Sequence, residues 1–571
     1  MERVWTAHYD PDVPRNISYP NCVVPDLLLR AANDYPARPA LRYYGASISY
    51  AELDGITTRF AGVLAHLRQG AKGVVGIMLP NLPQTVIAYF GSLKAGASVT
   101  PINPLYVEQE IAYQVTDAGC DTIIALPQFY ARIAPLVGRT CLKHVILTGP
   151  EEFLPWFKRL LYPWVKRNER QRDPVPVSAA AIPWRALMNR PLEKRMVRVS
   201  PDDVALLQYT GGTTGTPKGV MLTHRNLVAN TLQCCHWMPS LRKGEEKFLA
   251  VLPFFHVYGM SACQNLSMSV AGCLTLLPRF QVSEVLKTIE QDQITVFPGI
   301  PAMYSAINNY QDLERHNLRS IRLCISGAGP LHPDVQRRFE TLTGARLVEG
   351  YGLTEASPVT HVNPIHPNEA NRRRRSIGLP LADTDVVIRD VETGQRDLPV
   401  GEVGELVIRG PQVMQGYWNR PEETQHVLRD GWLYTGDMAR MDSDGFFYIE
   451  DRKKDMIKSG GENVYPREVE EVLCRHRKVK EAVVVGIPLG LRGELIKAYV
   501  VLMEGEQATA AELLDHCRKE LAKFKVPKKI EFRSALPKTI VGKVLRRVLL
   551  EEELKKRKPD EQNPQEREPA S

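Results

Sequence analysis

Between Tyr209 and Gly219 the chain reads Tyr-Thr-Gly-Gly-Thr-Thr-Gly-Thr-Pro-Lys-Gly. Glycines let backbone N–H groups approach phosphate oxygens closely, the hydroxyls of Thr210, Thr213, Thr214 and Thr216 donate further hydrogen bonds, and Lys218 supplies a point charge. The spacing is not that of a Walker loop, because Thr216-Pro217 separate Gly215 from Lys218. Further clusters carry reactive side chains. They are Phe254-Phe-His-Val-Tyr-Gly-Met260, Ser326-Gly-Ala-Gly-Pro330, Gly350-Tyr-Gly-Leu-Thr-Glu355, Tyr434-Thr-Gly-Asp437, Asp451-Arg-Lys-Lys-Asp-Met-Ile-Lys458 with Gly460-Gly461, and Pro537-Lys-Thr-Ile-Val-Gly-Lys543. Singly, each has a structural reading. Glu355 could close a turn and Asp437 cap a helix. Lys543 could be a surface lysine beside Arg546 and Arg547, and His256 could be a core histidine bonded to a carbonyl.

Taken in order, these motifs resemble the adenylate-forming superfamily: acyl-CoA synthetases, peptide-synthetase adenylation domains and firefly-type luciferases. The resemblance covers roughly residues 25 to 550. Through Glu349–Pro358, Ser376-Ile-Gly-Leu-Pro380, Gly410-Pro-Gln-Val-Met-Gln-Gly-Tyr-Trp418 and Phe524-Lys-Val-Pro527 it is most similar to bacterial long-chain fatty-acid–CoA ligases. It implies a two-step reaction: a carboxylate attacks the α-phosphate of ATP to give an acyl-adenylate and pyrophosphate, and the thiol of coenzyme A then displaces AMP. Two anions must meet in the first step, so cations and oriented dipoles are needed.

The resemblance also implies roles. Thr210, Gly211, Gly212, Thr213, Thr214, Gly215 and Lys218 would cradle pyrophosphate. Glu355 with the Thr210 hydroxyl would hold magnesium, for which oxygen ligands are suited. Tyr351, flanked by Gly350, Gly352 and Thr354, would stack on adenine, and Gly327 and Ala328 would let adenine and an acyl chain lie against the backbone. Asp437, backed by Arg452, would accept hydrogen bonds from the ribose hydroxyls. Lys543 would bridge carboxylate and α-phosphate. His256 would stand at the mouth of the acyl pocket. Lys454 would be a hinge whose rotation exchanges Lys543 for a face bearing Lys458 and Gly461, on the pantetheine path. One departure concerns Met260, which lies where some long-chain enzymes place a tryptophan gate; a flexible thioether there could line an acyl tunnel.

The elements that must position these residues are legible in outline. Val74–Leu79, Thr122–Leu126, His144–Leu147, Val204–Tyr209, Phe248–Leu252, Ile294–Phe297 and Ile321–Ile325 read as buried strands alternating with helix-like stretches. The predicted fold class is α/β: a large multi-sheet N-terminal α/β domain, residues 1–450, plus a small mobile C-terminal α+β domain, residues 455–553, with 451–454 as hinge and 554–571 as a disordered tail. In the small domain, Tyr465–Glu471 opens a helix, with Arg475, Arg477 and Lys478 at its far end. Glu481–Ile487 and Leu495–Leu502 read as strands, and Thr509-Ala-Ala-Glu512 caps a second helix.

The 571 residues exceed one ordinary core, and 44% apolar with 24% charged residues is a globular composition. The net charge is +8, of which Glu151–Ser200 carries +6. A whole-chain nucleic-acid binder would spread its charge, so no nucleic-acid partner is expected. The ten cysteines include no Cys-x-x-Cys pair, which argues against zinc and for a reducing, cytoplasmic setting. Phe153–Arg167 combines aromatics at helical spacing with Lys158, Arg159 and Lys166. It reads either as peripheral contact with an anionic membrane or as a surface helix packed on its own domain. The basic run Arg372–Arg375 is a solvated loop or a contact for coenzyme A phosphates. The cofactors and partners expected are ATP, Mg2+, coenzyme A and a fatty acid; a homodimer is left open. The alternatives are another acid, such as an aryl acid, in the same chemistry, transfer to a carrier protein, or a non-catalytic lipid-binding protein at a membrane.

Overall fold

The computed structural model describes residues 3–69, 72–165, 180–190, 197–210, 216–366, 373–453, 455–459, 462–488, 494–538 and 544–557. Two compact units result. One comprises Met1–Val386, Ile408–Leu433 and Asp444–Phe446; the other comprises Val387–Val407, Tyr434–Ser443 and Phe447–Ser571.

The first unit is built on two sheets. Among the described residues, one has eight strands, in the order Gly416–Tyr417, Lys218–Thr223, Val204–Thr210, Ser98–Pro101, Val74–Met78, Cys120–Ala125, His144–Leu147 and Ala181–Pro183. Its central strands are parallel, with Ile77 opposite Ile124, and Val74–Met78 is buried at every position. A strand covered on both faces has no polar side, hence the unbroken apolar run. The other sheet has nine strands and contains Lys247–Ala250, Val296–Gly299, Leu323–Ser326 and Arg346–Gly352. Helices fill the space between crossovers. Pro83–Lys94 is buried along almost its whole length, and His224–Trp237 starts with a reciprocal cap between Thr223 and Asn226.

In the second unit, Val479–Pro488 pairs antiparallel with Glu494–Leu502, which pairs parallel with Lys529–Phe532. Side chains alternate across this sheet. Val484, Ile496, Ala498 and Val500 pack with Val469, Leu473, Leu513 and Cys517 of the helices Pro466–Arg475 and Ala510–Glu520. Val483, Val485, Tyr499 and Val501 pack on the other face with Leu536 and Leu549. Thr509 caps Glu512, as its sequence implies.

Three boundaries differ from expectation. Residues 387–407 and 434–443 cluster with the C-terminal part rather than with residues 1–450. The cause is a hairpin that sets Asp437 opposite Arg452 and Met441 opposite Phe447, with the Gly401 N–H bonded to the Met441 carbonyl at 2.8 Å. The helix opened by Tyr465 ends at Arg475, so Arg477 and Lys478 lie beyond it. The last helix runs Arg546–Arg557, so residues 554–557 are helical; Leu549 holds it on the sheet. The rest of the tail lies outside the described residues. No helix among the described residues is long and apolar enough to cross a membrane.

Candidate active site

Two paired strands flank the glycine-rich segment in the chain. Val204–Thr210 and Lys218–Thr223 run antiparallel, with Thr210 opposite Lys218. Gly211, Gly212, Thr213, Thr214 and Gly215 lie outside the described residues. The loop therefore joins strand to strand, whereas a Walker loop opens a helix. Its base is anchored: the Tyr209 hydroxyl donates to Asp117 at 2.6 Å, and Asp117 pairs with Arg420 at 3.0 Å. Burial, then Asp117, pushes the Tyr209 phenol up, so it stays a neutral donor. Lys218 is mostly buried, pairs with Glu423 and lies 5.3 Å above the Tyr417 ring.

Glu355 sits in a 3-10 turn, Thr354–Ala356, directly after the strand Arg346–Gly352. It is half-buried, and no Lys or Arg pairs with it among the described residues. The Tyr417 hydroxyl donates to its Oε1 at 2.8 Å. A half-buried carboxylate with one oxygen braced and no cationic partner fits a metal ligand. No cluster of three or more metal-ligating side chains occurs among the described residues. Magnesium keeps several waters and takes few protein ligands beside substrate phosphates, so one braced carboxylate is compatible with it.

Residues 411–418 tie Glu355 to the hairpin. Asn226 Nδ2 donates to the carbonyls of Pro411 and Val413, at 2.8 and 2.9 Å. The Met414 N–H bonds the Glu355 carbonyl at 2.8 Å, the Gln415 N–H bonds Met221 at 3.0 Å, and the Trp418 N–H bonds Gly219 at 2.7 Å. The structure thus brings Thr210, Lys218 and Glu355 onto one hydrogen-bonded framework.

Tyr351 stands opposite His361 across the Arg346–Gly352 and Val359–Val362 strands, with ring centroids 5.8 Å apart at 66°. Only glycine is admitted at 352: a Cβ there would lie 2.1 Å from the Pro358 carbonyl oxygen. At Gly327 a Cβ would press on the Tyr258 ring at 3.0 Å, and Ala328 is held at φ +66°, a costly conformation for alanine. Gly350 is half-buried in its strand.

His256 precedes a helical turn, and no protein group hydrogen-bonds its ring among the described residues, so the carbonyl-bonded core reading lacks support. Burial pushes its pKa down to about 4, so the ring is neutral above about pH 5. Beside it is a narrow apolar cavity whose walls include Tyr89, Phe254, Phe255, Met260 and Gln264. Met260 begins a π-helical turn, Met260–Asn265, a form frequent at functional sites.

In the second unit, Asp437 is almost fully buried and Arg452 Nε lies 3.2 Å from its Oδ1. The Arg452 carbonyl accepts from the N–H groups of Asp455 and Met456 at 3.0 and 3.1 Å. Lys453 pairs with Glu405 at 2.8 Å, and Asp455 with Arg546 at 3.3 Å. Arg546 also grips Glu470 at 2.7 Å. Asp451 accepts from the Arg467 N–H at 2.7 Å, and the Arg467 guanidinium donates to the Ile449 carbonyl at 2.7 Å. Lys458 is exposed, its N–H bonded to Glu494 at 2.7 Å. Lys454, Gly461 and Lys543 lie outside the described residues.

Tyr417 and Asp117 were missed as site residues in the sequence. Tyr417 lies within a quoted motif, but nothing in its spacing says which side chain it reaches. In the basic run, Arg373 pairs with Asp444 at 2.6 Å and covers Phe446, and Arg372 lies outside the described residues. Along Trp156–Val165, Trp156 is 76% exposed and Leu160 68%. Lys158 Nζ, in contrast, donates to the Tyr44 carbonyl at 2.7 Å, so the helix also touches its own unit.

The family profile of AMP-binding enzymes matches residues 28–418, and that of the AMP-binding enzyme C-terminal domain matches residues 468–543. The chain is 44% identical over 557 residues to a long-chain-fatty-acid–CoA ligase of Bacillus subtilis (strain 168), covering 97% of this chain and 98% of that protein. A ligase of the same name from Yersinia pestis is 40% identical over 569 residues, covering 97% and 99%. Among solved structures, ATP-bound MatB from Rhodopseudomonas palustris superposes with a TM-score of 0.81 at 29% identity, covering 92% of this chain and 98% of that one.

Proposed function

The chain belongs to the AMP-binding enzyme family, and on that premise we propose that it is an ATP-dependent, AMP-forming fatty-acid–CoA ligase acting on long-chain acids. The substrates are a fatty acid, ATP and coenzyme A. The observation that carries the reading is Glu355, a carboxylate with no cationic partner among the described residues, fixed beside the hairpin that bears the glycine-rich loop.

In the first half-reaction a fatty-acid oxygen attacks the α-phosphorus and pyrophosphate leaves. Lys218 and the loop hydroxyls hold the departing phosphates. Magnesium, which Glu355 and the Thr210 hydroxyl would hold, would supply charge neutralisation as pyrophosphate departs. Tyr351, set between Gly350 and Gly352 and followed by Thr354, supports adenine; Gly327 and Ala328 keep the backbone open to it. Asp437, fixed by Arg452, takes the ribose hydroxyls. Lys543 supplies the charge where carboxylate meets phosphate. His256, neutral, closes the mouth of the acyl cavity, which must widen at Met260–Asn265 to admit a long chain. In the second half-reaction the coenzyme A thiolate attacks the acyl carbon and AMP leaves. A turn at Lys454 that retires Lys543 and presents Lys458 and Gly461 would divide the two steps.

The test is a panel of acids from C4 to C20 plus benzoate, assayed for AMP release with and without coenzyme A. Long-chain acids should dominate, with turnover dependent on coenzyme A. A preference for benzoate would favour an aryl-acid ligase, and no AMP from any acid would overturn the chemistry.

Exposed Trp156, Phe157 and Leu160, with Lys158 and Arg159, favour a second reading, peripheral attachment to anionic lipid. Co-sedimentation with phosphatidylglycerol vesicles should fall with salt and with Trp156→Ser/Leu160→Ser. Equal sedimentation of both proteins, or none beyond a lipid-free control that reports self-association, would refute it.

A further inference from the structure

Tyr417 lies in the segment Gly410–Trp418, to which the reaction above assigns nothing. Its side chain nevertheless touches two of the groups that the reaction needs. The hydroxyl donates to Glu355 Oε1 at 2.8 Å, and the ring lies beneath Lys218 Nζ at 5.3 Å. The residue is 8% exposed. Its own backbone is fixed: it sits opposite Val220 in the sheet, and its N–H donates to Thr424 Oγ1 at 2.9 Å. A phenol is protonated at neutral pH and a carboxylate is acceptor-only, so in this pair the tyrosine donates.

We propose that Tyr417 is a positioning residue that holds the Glu355 carboxylate and the Lys218 ammonium in fixed relation, so that metal and phosphate charge are met together. This rests on the reading of Glu355 as magnesium ligand and Lys218 as phosphate contact. A carboxylate on a two-carbon stem samples several rotamers. Binding one oxygen to a rigid phenol leaves the other aimed, and the ordering cost is met before the ligand arrives. The ring face adds an attraction for the ammonium and favours a lysine held in place over one dispersed in solvent.

The experiment is calorimetric binding of ATP to the full chain, with magnesium and with EDTA, together with binding of inorganic pyrophosphate in EDTA. Tyr417→Phe removes only the hydroxyl. Binding with magnesium should weaken about five- to tenfold, less than the full loss of a charge-assisted hydrogen bond because Tyr417 acts only by positioning, while metal-free ATP and pyrophosphate bind as in wild type. In a Glu355→Gln background the same change should cost less than about twofold, since the bond it removes no longer reaches a charge. Tyr417→Leu, which also removes the ring, should in addition weaken metal-free pyrophosphate binding. If Tyr417→Phe weakens binding equally with and without magnesium, or lowers only the melting temperature, Tyr417 is a packing residue and the proposal falls. If Glu355→Gln weakens magnesium-dependent binding but Tyr417→Phe does not, the proposal falls alone. If Glu355→Gln has no effect, the metal assignment falls first and takes the proposal with it.

Discussion

Asp437→Asn isolates one acceptor in a nearly closed setting. The side chain is 8% exposed and its Oδ1 lies 3.2 Å from Arg452 Nε. As a carboxylate it can take both ribose hydroxyls as well as the guanidinium. The amide keeps the shape but offers one acceptor, uncharged. One charge-assisted bond is lost outright and another weakened, which costs about 1.5–3 kcal/mol, or roughly 10- to 150-fold in KM for ATP. Stability should change far less. Arg452 is 39% exposed, so water replaces the lost anion, and such a pair contributes under about 1 kcal/mol. The assay is ATP–pyrophosphate exchange with ATP, 2′-deoxy-ATP and 3′-deoxy-ATP. Wild type should discriminate against both deoxynucleotides, and the variant should lose most of that discrimination. Undiminished discrimination in the variant would refute the assignment, because the hydroxyls would then be read elsewhere.

Lys543→Ala should lower adenylate formation on the order of 10²–10³-fold while sparing thioester formation from supplied acyl-adenylate; equal damage to both half-reactions, measured separately, would remove the division of labour. Lys454→Pro fixes φ and deletes an N–H, so thioester formation should suffer more than adenylation, and wild-type rates for both would show that no turn at 454 is needed. Stability should fall on acidification. His224 and His361 are fully buried, with pKa values pushed down by burial to about 4 and about 3. The unfolded chain binds their protons from about pH 6.5 downward, whereas the folded protein does not until pH 4 to 3. Each therefore removes up to about 1.4 kcal/mol per pH unit across that window. A melting temperature that stays flat from pH 7 to pH 5 would contradict this.

The two-layered α/β character was legible because strands covered on both faces leave apolar runs with no alternation, as at Val74–Met78. The edges of the second unit were not. What recruits 434–443 to it is hairpin pairing between Asp437 and Arg452, and pairing register leaves no mark in composition. The motif resemblance singles out Thr210, Lys218, Glu355, Asp437 and Arg452, since the chemistry it implies demands particular side chains at particular spacings. The supports escaped notice. Tyr417 and Asp117 act through contacts across long sequence separations, and a tyrosine that braces a carboxylate reads in sequence like one that fills a core.

The bonds from Arg467 to Asp451 and Ile449 join residues that precede and follow position 454 in the chain. They give this arrangement a resting depth. A turn at that point would first have to peel both bonds away, and the opposite arrangement would have to repay them. Such a joint keeps time differently from a loose one. It would dwell, release and dwell again, and bound ligand would govern the dwell only through its preference for one arrangement over the other. Loosening the grip, for instance with Arg467→Ala, would shorten the wait before thioester formation while leaving the intermediate less time under cover. Speed and protection of a hydrolysable mixed anhydride would thus be set against each other by a single arginine.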